Sequence, residues 1–369
     1  MKIIHKNTKE KACNFINQIN IPDNSIFIDI ETTGFSAKYS YIYLIGTAHI
    51  ENDNIITNQF FAPTPANEPD ILKAFISAIA DFDTIITFNG QMFDIPFIES
   101  KCQDYNINCP LKEHPQIDIF KEIHPIKTLL NLENYKQQNL ETFLNIYRKD
   151  SLSGKELIDC YKEYIKKPTE DARNLLFLHN YEDIIHLPSL YSLLNYSEFL
   201  NTSQEISDYC INEYKAINNT TCKELIIELK NNIFIPKEIT YRFDNIYLLL
   251  NPSKSTLRIP IYNGVLKHFY SNYKDYYYLP DEDMAIHKSI ATYVDKDHRK
   301  KCTAKNCFTK KDGSFLPQYD EIFTPVFKTD IKDNVSYFET TEDFFNSKSN
   351  IQEYTQHIIN TISKNKKRP

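Results

Sequence analysis

The sequence predicts an α/β sheet domain over residues 24–198 and an α+β or mostly antiparallel β module over residues 205–363. Three observations carry this. Between residues 26 and 98, short apolar runs of strand length alternate with amphipathic helical spacing. Residues 116–198 are dominated by helical periodicity. Beyond a polar stretch at 195–220, β-branched and aromatic runs separated by turn residues follow one another.

Ile26–Ile30 is an apolar run ending in Thr32-Thr33-Gly34, a buried strand entering a loop. Tyr41–Ile50 and Ile55–Ala62 are further strands, joined by the polar turn Glu51-Asn52-Asp53-Asn54. Pro69–Ala80 places Ile71, Leu72, Phe75, Ile76 and Ile79 on one helical face, with a proline in its first turn. Thr84–Phe88 is a strand broken by Asn89-Gly90, and a helix follows from Pro96. Leu140–Ile146, Gly154–Ile165 and a long helix over Asp171–Leu194 come next. The polar 195–220 stretch is the expected domain boundary. Ile239–Leu250, Thr256–Tyr262 and Val265–Tyr270 are the expected strands of the second module, with Asn263-Gly264 a strong hairpin signal. Residues 1–23 are read as an N-terminal extension and 364–369 as a disordered basic tail.

A hydrophobic content of 41% and a charged content of 25% exclude a disordered chain and fit a folded soluble protein. The net charge of −7 provides no global basic field, so contact with nucleic acid must use local patches. The eight cysteines form no C-x-x-C pair, and reduced thiols in a cytoplasmic protein are expected. The first residues, MKIIHKNTKEK, lack the apolar core of a signal peptide.

Asp29 and Glu31, in FIDIETTG, are two apart on a strand, so their side chains share one face. Asp94 follows the strand and turn of TFNGQMFD, and Asp183 sits in the long helix within HNYEDIIHL. Carboxylates converging from separate segments repel one another unless cations lie between them. Such a set offers the hard oxygen ligands required by two Mg²⁺ or Mn²⁺ ions.

These segments resemble the DEDD (DnaQ-like) 3′→5′ exonuclease superfamily, and within it the YprB-type ribonuclease-H-like group. The resemblance spans roughly residues 24–195. It rests on FIDIETTG (27–34), YIYLIGTA (41–48), QFFAPTPANEPDIL (59–72), TFNGQMFDIPFI (87–98), QID (116–118), NLETFLNIYRKDSLSGKELI (139–158) and HNYEDIIHL (179–187). It implies a ribonuclease-H-like fold, a mixed sheet flanked by helices, with two divalent cations held by Asp29, Glu31, Asp94 and Asp183. The implied activity is phosphodiester hydrolysis from the 3′ end of single-stranded DNA or RNA, releasing 5′-mononucleotides. The same acids would also serve a structure-specific endonuclease. A non-catalytic nucleic-acid-binding protein on this scaffold is disfavoured, because all four acids are present.

In that superfamily a Tyr four residues before the final Asp, or a His five before it, positions or deprotonates the attacking water. Here His179 stands four before Asp183. At about 100° per residue the two lie about 40° apart on one helical face, whereas Tyr181 points about 160° away, toward the core. An imidazole suits a water-orienting or general-base role at neutral pH. His186, three after Asp183, is the weaker alternative, and Asp118 is either a supporting acid or a helix cap.

Thr33, beside the first two acids, and Asn89, in the turn before Asp94, are candidate nucleic-acid contacts. In the second module, residues 287–311 hold eight Lys or Arg against two Asp, a local charge of +6, interleaved with aromatic residues. Lys288, Arg299, Lys300 and Lys301 are the candidates there, since cations and ring faces together favour single strands. Cys302 and Cys307, with His287 and His298 nearby, are spaced poorly for zinc.

Overall fold

The computed structural model describes residues 4–13 and 15–365. These divide into two compact units, the first comprising Met1–Glu198 with Ile233–Lys237, the second Phe199–Asn232 with Glu238–Pro369.

Unit 1 is built on a six-stranded sheet with strand order β1-β4-β3-β2-β5-β6. The strands are β1 (Ile4–Lys11), β2 (Ser25–Thr32), β3 (Ile42–Glu51), β4 (Asn54–Phe61), β5 (Thr84–Thr87) and β6 (Gln116–Asp118). β1 to β4 pair antiparallel, while β2, β5 and β6 run parallel, so the sheet is mixed. Residues 4–11 of the expected extension are therefore part of the sheet: β1 pairs along the whole of β4 from Ile4↔Phe61 to Lys11↔Asn54. Its mostly exposed sequence hides this, because an edge strand with one neighbour needs little apolar character.

α1 (Glu68–Ile79) and α2 (Asp94–Asp104) cover one face of the sheet, packing Ile71, Phe75 and Ile98 against Ile26, Ile28 and Ile30. After three short helices, α3 (Ile119–Ile123), α4 (Lys127–Leu130) and α5 (Gln137–Phe143), come α6 (Gly154–Lys166) and α7 (Glu170–Ile185). Tyr161, Leu176 and Phe177 of α6 and α7 pack with Tyr43, Leu44 and Phe61 of the sheet. α6 opens with a Ser153/Glu156 capping box, and Thr169 caps α7 through the Ala172 amide. The single long helix expected over Asp171–Leu194 is instead α7, α8 (Leu187–Tyr191) and α9 (Leu194–Asn201). Pro188 lacks the N–H that would continue α7, so the chain breaks at His186.

Unit 2 has an eight-stranded antiparallel sheet formed by β7 (Ile206–Lys215), β8 (Thr221–Leu229), β9 (Ile239–Phe243), β10 (Ile246–Leu250), β11 (Ser255–Phe269), β15 (Phe308–Gln318), β16 (Val326–Phe327) and β17 (Ser336–Glu339). A small sheet of β12 (Tyr276–Leu279), β13 (Met284–His287) and β14 (Lys300–Lys301) accompanies it, with helices α10 (Lys288–Ala291), α11 (Glu342–Asn346) and α12 (Lys348–Asn365). The boundary between the units, Glu198/Phe199, falls within the polar stretch at 195–220, which also holds α9 and the exposed strand β7. Two expectations change here. Ile239–Leu250 is two strands, because Asp244 takes a left-handed turn conformation (φ 51°). Asn263-Gly264 makes no hairpin: β11 runs through it, pairing with β8 up to Ile261 and with β15 from Tyr262 on, with Gly264 opposite Gly313. Of the expected basic tail, Lys364 and Asn365 finish α12, and residues 366–369 lie outside the described residues. Among the described residues no helix is long and apolar enough to cross a membrane.

Candidate active site

In β2 the even residues Ile26, Ile28 and Ile30 enter the core under α1 and α2, so Asp29 and Glu31 face α7. Asp29 stands opposite Gly46 of β3, which in turn stands opposite Gln59 of β4. Gly46 leaves a gap in this row, and the buried Asn180 of α7 fills it. A Cβ at Gly46 would lie 2.3 Å from Asn180 Oδ1. The Asn180 amide donates to Asp29 Oδ2 (3.0 Å) and accepts from Gln59 Nε2 (3.0 Å), and the same Gln59 nitrogen donates to the Phe177 carbonyl (2.9 Å). Asp29 is thereby held from above by α7.

Asp94 is the first residue of α2 and is buried. The parallel pairing of β2 with β5 ends at Phe27↔Ile86, leaving the Ile30 N–H beyond it, and Asp94 Oδ1 accepts that N–H at 3.0 Å. The preceding turn carries Asn89 in a left-handed conformation (φ 63°). Asp118 braces this turn: its carboxylate accepts from the backbone of Asn89 (2.8 Å) and Gln91 (3.1 Å), while also capping α3 through Lys121 N (3.3 Å). Both readings of Asp118 thus describe one side chain.

His179 and Asp183 lie one turn apart on α7, with His179 Nε2 3.2 Å from Asp183 Oδ2 and 3.6 Å from Glu31 Oε1. Glu31, His179 and Asp183 form a group able to offer three ligand atoms to one cation. Tyr181 points elsewhere, its ring lying under Lys6 of β1. His186 ends α7 with its Nδ1 3.4 Å from Glu141 Oε1.

Two residues that sequence reasoning passed over complete the surroundings. His179 Nδ1 is 2.6 Å from the buried Oδ2 of Asp150. Arg148, two residues earlier, pairs with Asp183 Oδ1 (2.7 Å) through one nitrogen and grips Glu141 through two others (2.5 and 2.6 Å). Both sit in the loop between α5 and α6, which Glu182 secures by accepting from the backbone of Lys149 and Asp150, each at 2.9 Å. The signal was present as R-K-D in a stretch already matched for other reasons, but nothing local relates it to α7.

The electrostatics follow from this crowding. Burial, then the charges of Asp183, Asp94 and Glu31, push the Asp29 carboxyl well above its ordinary range. Burial raises Glu31 to about 8, with Asp183, Asp94 and Asp150 adding to the effect and His179 opposing it. Burial likewise raises Asp94 to about 7, against the Ile30 hydrogen bond. For His179, burial opposes the charged form, but Asp183, Glu31 and Asp150 outweigh it and raise the imidazole. Such a set accumulates negative charge that the protein itself neutralises only in part, through Arg148 and His179.

Of the other expected contacts, Thr33 uses its hydroxyl to accept from Tyr41 N (2.9 Å), closing the turn between β2 and β3. The basic candidates belong to unit 2. Lys288 pairs with Asp275 (3.5 Å), Arg299 lies 5.1 Å over the Tyr277 ring, and Lys300 and Lys301 pair with Tyr278 and Tyr277 across β14 and β12. Cys302 and Cys307 are buried beside Ala285, whereas His287 caps α10 and His298 pairs with Asp281.

Residues 26–195 match the family model RNase_H_2, described as RNase_H superfamily. The uncharacterized protein YprB of Bacillus subtilis (strain 168) is 28% identical over 178 residues, 46% of this chain and 41% of that protein, so the chain matches less than half the length of this relative. Among solved structures, the family B DNA polymerase of the hyperthermophilic archaeon Pyrobaculum calidifontis superposes with a TM-score of 0.38 at 9% identity, over 68% of this chain and 35% of that one. E. coli exonuclease I in complex with an oligonucleotide superposes with a TM-score of 0.28 at 10% identity, over 93% and 72%. The mixed sheet, the order of its strands and the matched segment agree: residues 26–195 form a ribonuclease-H-like domain, and through it the chain is similar to the RNase_H superfamily and to YprB.

Proposed function

We propose that unit 1 is a metal-dependent 3′→5′ exonuclease that hydrolyses single-stranded DNA or RNA to 5′-mononucleotides. The observation that carries this reading is the convergence of Asp29, Glu31, Asp94 and Asp183 at one end of the sheet, with the His179 imidazole between Glu31 and Asp183. The donor set fits two Mg²⁺ or Mn²⁺ ions. It consists of hard carboxylate oxygens whose burial and mutual repulsion, which together raise Asp29, Glu31 and Asp94, are offset by divalent charge. When bound, such ions lower the pKa of a coordinated water and stabilise the departing 3′ oxygen.

The chain's own groups do the rest. Asp150 holds Nδ1 of His179, so that Nε2 is the nitrogen turned toward the acids and toward the attacking water. In this role Nε2 orients that water and takes its proton. Asn180 and the Ile30 N–H fix Asp29 and Asp94, and Arg148 fixes Asp183, so that little reorganisation accompanies the reaction. In unit 2, the exposed Lys300 and Lys301, the Arg299–Tyr277 stack and the 91%-exposed Tyr293 supply charge and ring faces for gripping the strand.

The test uses 5′-labelled DNA and RNA oligonucleotides with Mn²⁺ or Mg²⁺. A ladder shortening from the 3′ end, abolished by EDTA and by Asp94→Ala, is the expected result. Cutting of a circular single strand would replace the exonuclease reading with an endonuclease, and no cleavage of any substrate would remove the catalytic reading.

A further inference from the structure

We propose that an open cleft beside the acids, walled by Phe88, Phe120 and Tyr135, receives a nucleobase of the strand being cut, with Lys127 and Lys136 at its phosphate. The proposal rests on the nuclease reading and adds a substrate contact to it. The cleft has a volume of about 480 Å³ and is completed by Asn89 and Asn134. That size falls within the roughly 300–1,000 Å³ usual for small-molecule sites.

Both lips of the cleft belong to segments that also hold the acids. One lip is Asn89, tied through its backbone N–H to Asp118 (2.8 Å) in the turn that leads into Asp94. The other is Lys136, followed directly by Gln137, whose amide donates to the Asp183 backbone carbonyl (2.8 Å). A group seated between these lips is therefore adjacent to the catalytic cluster.

The lining favours a planar, anionic occupant. Phe88 and Phe120 meet edge to face at 5.6 Å. Tyr135 is pinned by its hydroxyl, which donates to the Lys127 carbonyl (2.6 Å) and accepts from Leu132 N (3.2 Å). The Lys127 ammonium sits 4.6 Å from the Phe120 ring centre and 4.8 Å from that of Tyr135. Among the described residues no carboxylate pairs with it, so its charge remains free for a phosphate. Half-buried rings in a concave surface, rimmed by two cations, match a nucleotide in both its parts: base on ring, phosphate on ammonium. Stacking accepts any base, because every base has a π-face.

The test is fluorescence anisotropy with the full chain in EDTA. The two probes are a 5′-fluorescein-labelled single-stranded oligonucleotide and the same strand with abasic 3′-terminal positions. Phe120→Ala and Tyr135→Ala should each weaken binding of the natural strand on the order of tenfold, leaving the abasic strand unaffected. Tyr135→Phe keeps the ring and should bind like the wild type. Lys127→Met should weaken both strands and flatten the salt dependence. Circular-dichroism melts check folding, and Phe120→Leu, which removes the aromatic face but keeps an apolar side chain, replaces the alanine variant if it melts early. Unchanged affinity for the natural strand in the ring variants, or equal losses on both strands, would overturn the proposal. If the wild type still cuts oligonucleotides with Mn²⁺, only the cleft assignment falls. A wild type that neither binds nor cuts overturns the cleft and the nuclease reading together.

Discussion

Replacing Gly46 by alanine perturbs the site without touching any of its acids. The added methyl would stand 2.3 Å from Asn180 Oδ1 and 2.9 Å from both Cγ and Nδ2, well inside contact distance. Asn180 is wholly buried and bonded on both sides, to Gln59 and to Asp29, so it has no free direction in which to yield. Overpacking of this kind costs about 1–3 kcal/mol. For a unit of this size that lowers the melting temperature by roughly 2–12 °C. The displaced amide also releases Asp29 Oδ2, so divalent-cation affinity should fall together with stability. Thermal unfolding and Mn²⁺ titration calorimetry read the two effects. The decisive comparison is the double variant. In Asn180→Ala the amide is gone, and Gly46→Ala should then be neutral or stabilising, because glycine within a strand costs roughly 0.5–1 kcal/mol relative to alanine. An equal cost of Gly46→Ala in both backgrounds would refute the reasoning, since it would mean that the methyl collides with something other than Asn180.

His179→Ala should lower turnover by about 10²–10⁴-fold while Mn²⁺ affinity, read by calorimetry, changes little, and a near-normal rate would remove its assigned role. Asp150→Ala should reduce kcat by roughly 10–100-fold with KM unchanged, and Asp150→Asn, which keeps an oxygen for Nδ1–H, should recover most of the loss. Equal defects in the two variants would count against orientation of the ring. Glu141 supplies a pH signature. Burial alone would raise its carboxyl, but Arg148 and His186 overcome this and hold it at about 2, below its unfolded value of 4.5. Its contribution, about 3 kcal/mol, is therefore fully present above pH 4.5 and lost as pH falls through 2. Urea unfolding between pH 5 and 2 should show that slope in the wild type and a shallower one in Glu141→Gln, whereas parallel curves would exclude the ion pair as its source.

The shared faces of Asp29 with Glu31 and of His179 with Asp183 were legible in the sequence because each depends on local periodicity, whereas Asp94 was reached through the resemblance carried by TFNGQMFD. Two residues apart on a strand gives one face for Asp29 and Glu31, and four apart on a helix gives one face for His179 and Asp183. The mixed sheet of unit 1 followed from the same patterns together with the resemblance carried by FIDIETTG and TFNGQMFD. Periodicity, however, reports only on neighbours along the chain. Asp150 reaches His179 across 29 residues, and Asn180 reaches Asp29 across 151, so neither contact leaves a local mark. Gly46 reads as an ordinary strand residue until α7 is laid over it. Edge position worked against the reading of β1 and β7, whose exposed residues carry little of the apolar alternation that identifies a strand. The sequence by itself thus determined which residues carry charge toward the site and on which elements they stand. Tertiary structure alone decided what holds them there, because the Asn180, Asp150 and Arg148 contacts exist only once distant segments are packed together.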